Sequence, residues 1–353
     1  MRISPDVREG SVMATASHWS QYLALRSLSA VVHCFNAEEN MRTVGAAGSI
    51  YHSLNRKHRE RAQNNLKRCF PTLPQSDIER ISKNSIRNMF QLFGVDSLAM
   101  PKLLRRENWA DRVSIGSMQN VIELLVSEKP AIFITGHVGN WEVLGYLMSL
   151  LGFEMTALAR PLDNPLVNKW LLDLRQAHGM RVMTKFGATP EIDALIARGE
   201  RLGFIADQNA GEKGVFVPFF GRLASSYKSI GLLAMRHEVP VVAGYARRVP
   251  DRFEYELISP DIIKPEDWVD QPDPLFYITA RFNRALEEMV RMAPEQYLWV
   301  HRRWKSRPKW ERLGKPMPSR VIAKLETLPW MTTELMSQIQ ENSRIDTEEL
   351  QKD

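Results

Sequence analysis

The segment Thr135-Gly136-His137-Val138-Gly139-Asn140-Trp141-Glu142 holds the side chains best suited to proton transfer. It follows the short apolar run Ala131 to Thr135 and opens a helical pattern, so His137 sits where a strand hands over to a helix. In α/β sheets that junction, at the carboxyl end of a strand, is where ligands bind. Gly136 and Gly139 flank the histidine and allow close approach to the backbone. Asn140 suits a helix cap, and Glu142 falls in the first turn, where the helix dipole favours a carboxylate. His137 and Glu142 can turn toward each other, and a carboxylate on one imidazole nitrogen fixes the tautomer and raises the basicity of the other. Such a pair can take a proton from a hydroxyl nucleophile. The competing reading makes both residues structural.

Other candidates stand at strand ends. Asp207 closes the apolar run Leu202 to Ala206, with Gln208 after it; such an aspartate often caps the next segment. Arg160 follows Met155 to Ala159, where an arginine commonly joins a surface pair. A His plus a Glu could ligate zinc, but no third ligand stands at convincing spacing, so no metal is expected. His178 and His237 lie in helical contexts and read as structural, and His301 reads as a surface residue beside a basic run.

The elements that position these groups alternate. Apolar runs at 131–135, 155–159, 181–184, 202–206 and 239–246 read as strands, with another at 253–258. Helical patterns lie at 117–128, 141–151, 166–177, 190–198, 226–237 and 275–292. This alternation predicts an α/β fold, a mostly parallel central sheet flanked by helices. Residues 1–108 read as a helical N-terminal region with Ser76 or Asp77 as a cap, 109–315 as the α/β domain and 316–353 as a polar C-terminal tail. The acidic stretch from Gln338 reads as a loosely packed helix or frayed end.

The chain has 353 residues, 44% hydrophobic and 25% charged, which excludes wholesale disorder and a polytopic membrane protein. Two cysteines, Cys34 and Cys69, are too few for a disulfide framework. The net charge is +6, with basic runs at 56–68 and 302–312, the second interleaved with Trp304 and Trp310. Basic residues mixed with tryptophan suit an anionic lipid surface or single-stranded nucleic acid, and no nucleic-acid motif accompanies them. No signal peptide is evident. Trp19 to Phe35 is apolar on one side but contains Arg26, too short and polar to span a bilayer. It reads either as a core helix or as one lying in the membrane interface.

Several blocks together resemble the late acyltransferases of bacterial lipid A biosynthesis, the lauroyl and myristoyl transferases, within the wider His-x4-Asp/Glu glycerolipid and lysophospholipid acyltransferases. They are Asn64-Asn65-Leu66 to Cys69-Phe70-Pro71, Gly136 to Glu142, Arg160-Pro161-Leu162-Asp163-Asn164-Pro165, Asp207-Gln208, Gly214 to Gly221 and Pro294 to Arg303. The resemblance spans roughly 20–310 and implies a glycerolipid acyltransferase-like fold. It implies that His137 acts as general base on an acceptor hydroxyl, that Glu142 orients it, and that the hydroxyl attacks a thioester directly. It implies substrate-binding roles for Arg160, Asn164, Asp207, Gln208, Asn140 and Gly139: Asp207 would position Arg160, His137 or a polar group of the substrate, Asn164 would be a helper or a helix cap, and the Gly139 and Asn140 amides are candidate oxyanion donors. It implies that Val215 to Phe220 walls an acyl channel beside the apolar helix 143–153. No cofactor is implied beyond the acyl thioester co-substrate. The implied partners are acyl carrier protein or acyl-CoA, an anionic membrane surface and a phosphorylated glycolipid acceptor, with no nucleic acid. The implied place is the cytoplasmic face of the bacterial inner membrane, peripheral because the N-terminal segment is more polar than the family's anchor. Alternatives that remain are transfer to another lysophospholipid or glycolipid, or a non-catalytic lipid-binding relative.

Overall fold

A computed structural model describes residues 15–127, 129–159, 161–176, 180–184 and 189–352. The N-terminal region is helical: α1 (Ala16–Val32), α2 (Ala37–Leu54), α3 (Arg56–Cys69), α4 (Gln75–Gln91) and α5 (Ser97–Leu103), with a π-helical turn at Leu92–Asp96 between the last two. The first residue before α4 is Pro74, not Ser76 or Asp77: the helix starts earlier than the expected cap.

Strand and helix then alternate: β1 (Val113–Ile115), α6 (Gln119–Val126), β2 (Ile132–Thr135), α7 (Trp141–Leu150), β3 (Met155–Ala159), α8 (Pro165–Gln176), β4 (Arg181–Thr184), α9 (Thr189–Ala197) and β5 (Arg201–Ile205). A hairpin, β6 (Val215–Phe219) and β7 (Arg222–Ser226), precedes α10 (Lys228–His237), β8 (Val241–Arg248) and β9 (Tyr255–Ile263). The chain ends in α11 (Pro265–Trp268), α12 (Pro274–Met292), α13 (Lys309–Arg312), α14 (Ser319–Glu326) and α15 (Thr333–Leu350).

Among the described residues seven strands form one sheet in the order β1-β9-β8-β2-β5-β3-β4. Every neighbouring pair is parallel except β8 with β9. The central strands are near-continuous apolar runs because helices cover both faces. The register pairs Thr135 of β2 with Ile205 of β5, so the chain leaves both strands at one level of the sheet edge.

Two features differ from the sequence reading. The hairpin β6–β7 is a separate two-stranded sheet, packed through Phe219 and Phe220 on Trp299 and Trp304. The acidic end is neither frayed nor loose. Asp346 of α15 is buried and pairs with Arg68 at 2.8 Å, Arg222 at 2.6 Å and Arg307 at 2.6 Å, tying α15 to α3, β7 and the loop before α13. A buried carboxylate is tolerated when several guanidinium groups replace its water. The charge density that reads as a solvated tail is in part a buried ion network.

Candidate active site

His137 lies two residues past Thr135, and Asp207 two residues past its register partner Ile205. Asp207 is 1% exposed. Its Oδ2 accepts from the His137 backbone N–H at 2.9 Å, and its Oδ1 accepts from the ring Nδ1–H at 2.8 Å. Burial alone would raise the Asp207 carboxyl, but the His137 charge, the hydrogen bonds from His137 and the nearby His301 outweigh it and hold the group well below the usual carboxylate range. An ionised carboxylate on Nδ1 places the ring proton there and leaves the Nε2 lone pair for an incoming proton. Gly136 gives the turn its tightness: a Cβ there would meet the Asp207 carboxyl carbon at 3.3 Å.

The partner expected for His137 is therefore not Glu142. Glu142 is buried in the first turn of α7, and both its oxygens accept from Arg175 of α8, at 2.8 Å from Nε and 2.5 Å from Nη2. Arg175 lies 33 residues on, in a different helix, so no local spacing announces the pair.

Asn140 caps its helix as its position suggests, but the Gly139 and Asn140 amides are not placed for the oxyanion role expected of them. The Gly139 N–H donates to Gln296 O at 3.2 Å and the Asn140 N–H to Ala246 O at 2.8 Å, so neither amide is free to serve an oxyanion. Gly139 has φ +62°, and a Cβ there would stand 2.2 Å from Ala246 O, which requires glycine. Asn140 is fully buried; its side chain accepts from Val143 N at 3.0 Å, capping α7, and donates to Asp96 at 2.5 Å. Asn164 likewise caps α8 through Leu166 N and Val167 N and donates to His18 O of α1 at 3.0 Å. Gln208 is exposed beside Asp207, and Arg303 donates to its carbonyl. Arg160 and His178 lie outside the described residues.

Two aromatic rings enclose His137. Trp141 stands edge-on at 4.8 Å between centroids and His301 at 4.4 Å. His301 is thus a site residue, not the surface residue its sequence context suggests. Burial, then the neighbouring His137, push its pKa down to about 4, against the opposing pull of Asp207. His301 lies far along the chain in a basic run, and no local spacing announces its meeting with His137.

Trp141 and His301 belong to different cavities. Trp141 lines an apolar slot of about 120 Å³ that runs past Leu144, Gly145 and Met148 of α7 to Met155 and Gly203 in the sheet. The β6–β7 residues named as a channel wall do not line it. Thr135 does, and its buried Oγ1 has no hydrogen-bond partner among the described residues. His301 lines a polar cleft of about 560 Å³ between α3 and residues 301–305.

The donor atoms of His137, Asp207 and His301 lie within 4.8 Å of one another, a set a cation could use and one that sequence spacing conceals. Asp207 already engages both its oxygens with His137, so ligation would break the contact that orients the ring. Of the two cysteines, Cys34 is exposed and Cys69 buried, and burial pushes the Cys69 thiol above its usual range, which makes it a poor nucleophile.

A carboxylate-held histidine thus stands at the carboxyl edge of parallel strands, flanked by a ring from an apolar slot and a ring from a cationic cleft. The comparisons specify the class. Residues 13–306 match the family described as bacterial lipid A biosynthesis acyltransferase, and the chain belongs to that family and is an acyltransferase. It is similar to a lipid A biosynthesis acyltransferase of Haemophilus influenzae, 25% identical over 69% of this chain and 75% of that protein. It is similar to the lipid A biosynthesis lauroyltransferase of Escherichia coli, 25% identical over 69% of this chain and 78% of the relative. The Escherichia coli myristoyltransferase is 24% identical over 72% of this chain and 77% of its own length.

Proposed function

We propose that this chain moves a fatty acyl group from a carrier or coenzyme A thioester to a hydroxyl of a lipid A-type precursor, with His137 as general base. The observation that carries the reading is the position of His137, oriented by Asp207 and flanked by one ring from the apolar slot and one from the polar cleft. The acyl chain lies in the slot, where each buried CH₂ contributes about 0.8 kcal/mol. The acceptor hydroxyl meets Nε2 from the cleft side.

His137 takes the hydroxyl proton as the oxygen attacks the thioester carbonyl. The tetrahedral adduct expels the thiolate, which recovers the proton from the imidazolium, leaving an ester and a free thiol. The negative Asp207 stabilises the imidazolium while it exists. No acyl-enzyme is needed. Thr135 Oγ1, unbonded in the slot wall, is the side chain best placed to donate to the developing oxyanion, because the Gly139 and Asn140 amides are already bonded. Glu142 supports the site at one remove: with Arg175 it locks α7 to α8 at the slot. No cofactor enters this scheme.

A carrier-protein donor suits a chain of net charge +6, since such carriers are acidic. Among the described residues no helix is long and apolar enough to cross a membrane. α1 nevertheless exposes Trp19, Leu23, Leu28 and Val31 and buries only Val32, while α2 exposes Ile50 and Leu54 just before the basic start of α3. That pattern supports peripheral seating on an anionic membrane surface, which in this reading is the cytoplasmic face of the inner membrane.

The test is incubation of the protein with acyl-carrier and coenzyme A thioesters and a panel of glycolipid and lysophospholipid acceptors, with and without a chelator. Ester formation on a lipid A-type precursor, undiminished by the chelator, is expected. Transfer only to a different lipid class, or none at all, would overturn the acceptor assignment.

A further inference from the structure

The loop that carries His137 is not made rigid by its own sequence. Gly136 and Gly139 flank the histidine, and glycine loses more freedom on ordering than any other residue. The loop is held from outside, through its backbone. Leu298 N–H donates to His137 O at 2.9 Å, and Val138 pairs with Tyr297 in an isolated antiparallel bridge. Gly139 N–H reaches Gln296 O, and Asn140 N–H reaches Ala246 O. A misplacement of about 1 Å at a reacting group costs roughly 10²-fold in rate, so what holds these segments bears directly on the imidazole.

The supports join in a closed circuit of hydrogen bonds. Asn140 donates to Asp96 Oδ2 at 2.5 Å, and Arg248 Nη2 donates to the same oxygen. Gln296 grips the Arg248 backbone twice: its Oε1 accepts from Arg248 N–H at 2.9 Å, and its Nε2 donates to Arg248 O at 2.9 Å. The Gln296 carbonyl returns the path to Gly139, the residue before Asn140. Asn140, Asp96, Arg248 and Gln296 are all buried, and none lines the slot or the cleft. Asp96 closes the π-helical turn Leu92–Asp96, a rare geometry that recurs at functional sites. A buried ion pair often adds no stability over an apolar pair of like volume, whereas fixing one arrangement is its best-attested use.

We infer that Asp96 and Gln296 are positioning residues for acyl transfer: they touch no substrate, and they lock Gly139 and Asn140 so that the His137 ring stays on Asp207. The inference rests on the acyl-transfer reading above and adds two residues to it. Asp96 is the hub, because one carboxylate oxygen holds both the start of α7 and the end of β8. Gln296 sets the other side of the loop, in the segment that also delivers His301 to the ring. α4 braces that segment: Asn88 donates to Gln296 O at 3.4 Å and Ser85 to Tyr297 O at 2.5 Å. The N-terminal helices are thereby part of the framework of the site.

The test uses the full-length protein with Gln296→Met, Asp96→Asn, Asn140→Asp and the exchange variant Asp96→Asn/Asn140→Asp. Gln296→Met keeps the length of the side chain and removes both bonds to Arg248. The exchange reverses donor and acceptor, keeps one carboxylate beside Arg248 and leaves an α7 cap in place. Steady-state constants are measured well below each thermal midpoint. The His137 Nδ1–H is followed by proton NMR of isotope-labelled histidine, with His137→Ala to assign it. The expected result in each single variant is a kcat lowered by at least about tenfold, with both KM values unchanged and the Nδ1–H signal lost or broadened. The exchange variant should recover most of the turnover and the signal. Lower thermal midpoints with parental kcat and signal would make the circuit merely structural and overturn the inference. Failure of the single variants to fold, a rise in KM at constant kcat, or a folded exchange variant that recovers nothing would also overturn it. The NMR signal needs no turnover, so its loss and recovery would uphold the positioning role even where acyl transfer failed to appear.

Discussion

His137 and Asp207 leave two adjacent parallel strands at matched register, each two residues past the pair Thr135 and Ile205. Sheet geometry alone therefore brings the imidazole and the carboxylate together, and Asp207 grips both the ring and the backbone of His137. The glutamate of the His-x4-Glu pattern is directed elsewhere, to Arg175.

Glu142 and Arg175 behave as a structural pair. Removing one partner strands a buried charge, a loss on the order of 3–5 kcal/mol, whereas removing both is far milder. Glu142→Gln and Arg175→Gln should each lower the thermal midpoint by more than the double variant does. Additive losses in a double-mutant cycle would show that the pair is not coupled.

The apolar slot should discriminate by chain length. Gly145 and Gly203 give it room, with Met180 Sδ 3.1 Å and Met155 Sδ 2.9 Å from the positions their Cβ atoms would take. Gly145→Leu should move the preferred donor toward shorter chains, by roughly fourfold in kcat/KM for each methylene excluded. Mass spectrometry of products from a mixed thioester pool reads this directly, and an unchanged chain distribution would place the acyl group elsewhere.

Thr135→Val keeps the shape of the slot wall and removes its unbonded hydroxyl. Loss of one oxyanion donor reduces turnover by about 10²-fold in well-studied acyl transfer. A drop of at least about tenfold in kcat with little change in donor KM is expected here. Full activity would leave the oxyanion to a different donor.

His301 gives stability a pH dependence of definite sign. Its folded pKa is about 4 and its ordinary value 6.5, so between these values the unfolded chain binds the additional proton. Stability is therefore full above about 6.5 and declines as pH falls toward 4. The buried His52, also shifted down, acts in the same direction. Thermal midpoints measured between pH 7 and 5 should fall, and His301→Gln should flatten the slope; an equal slope in the variant would contradict the assignment.

Much of this was legible in the residues, and the remainder was hidden for physical reasons. Apolar runs bounded by turn residues marked β2, β3, β5 and β8 to within a few positions, because strands covered on both faces have no polar side to disguise them. His137 stood out between two glycines at a strand end. Its partner was less sharply marked: Asp207 could position Arg160, His137 or a substrate group, and only the register of β2 with β5 selects His137. His301 and Arg175 reach the site only through tertiary packing. Asn140 and Asn164 take the helix-cap role that their type and position offer beside a site role, since asparagine suits both tasks. The polar end misled for a related reason: composition cannot distinguish a solvated carboxylate from Asp346, which three arginines surround.

The central claim is that His137, oriented by Asp207, removes the acceptor proton. Its most direct test is single-turnover transfer from a purified acyl thioester to a lipid A-type precursor, comparing the parent chain with His137→Ala and Asp207→Asn under saturating donor. General-base catalysis of this kind contributes about 10²–10⁴-fold. A fall of at least about 10²-fold in both variants, with both still folded and donor binding preserved, is predicted. Transfer at the parental rate in either variant would contradict it.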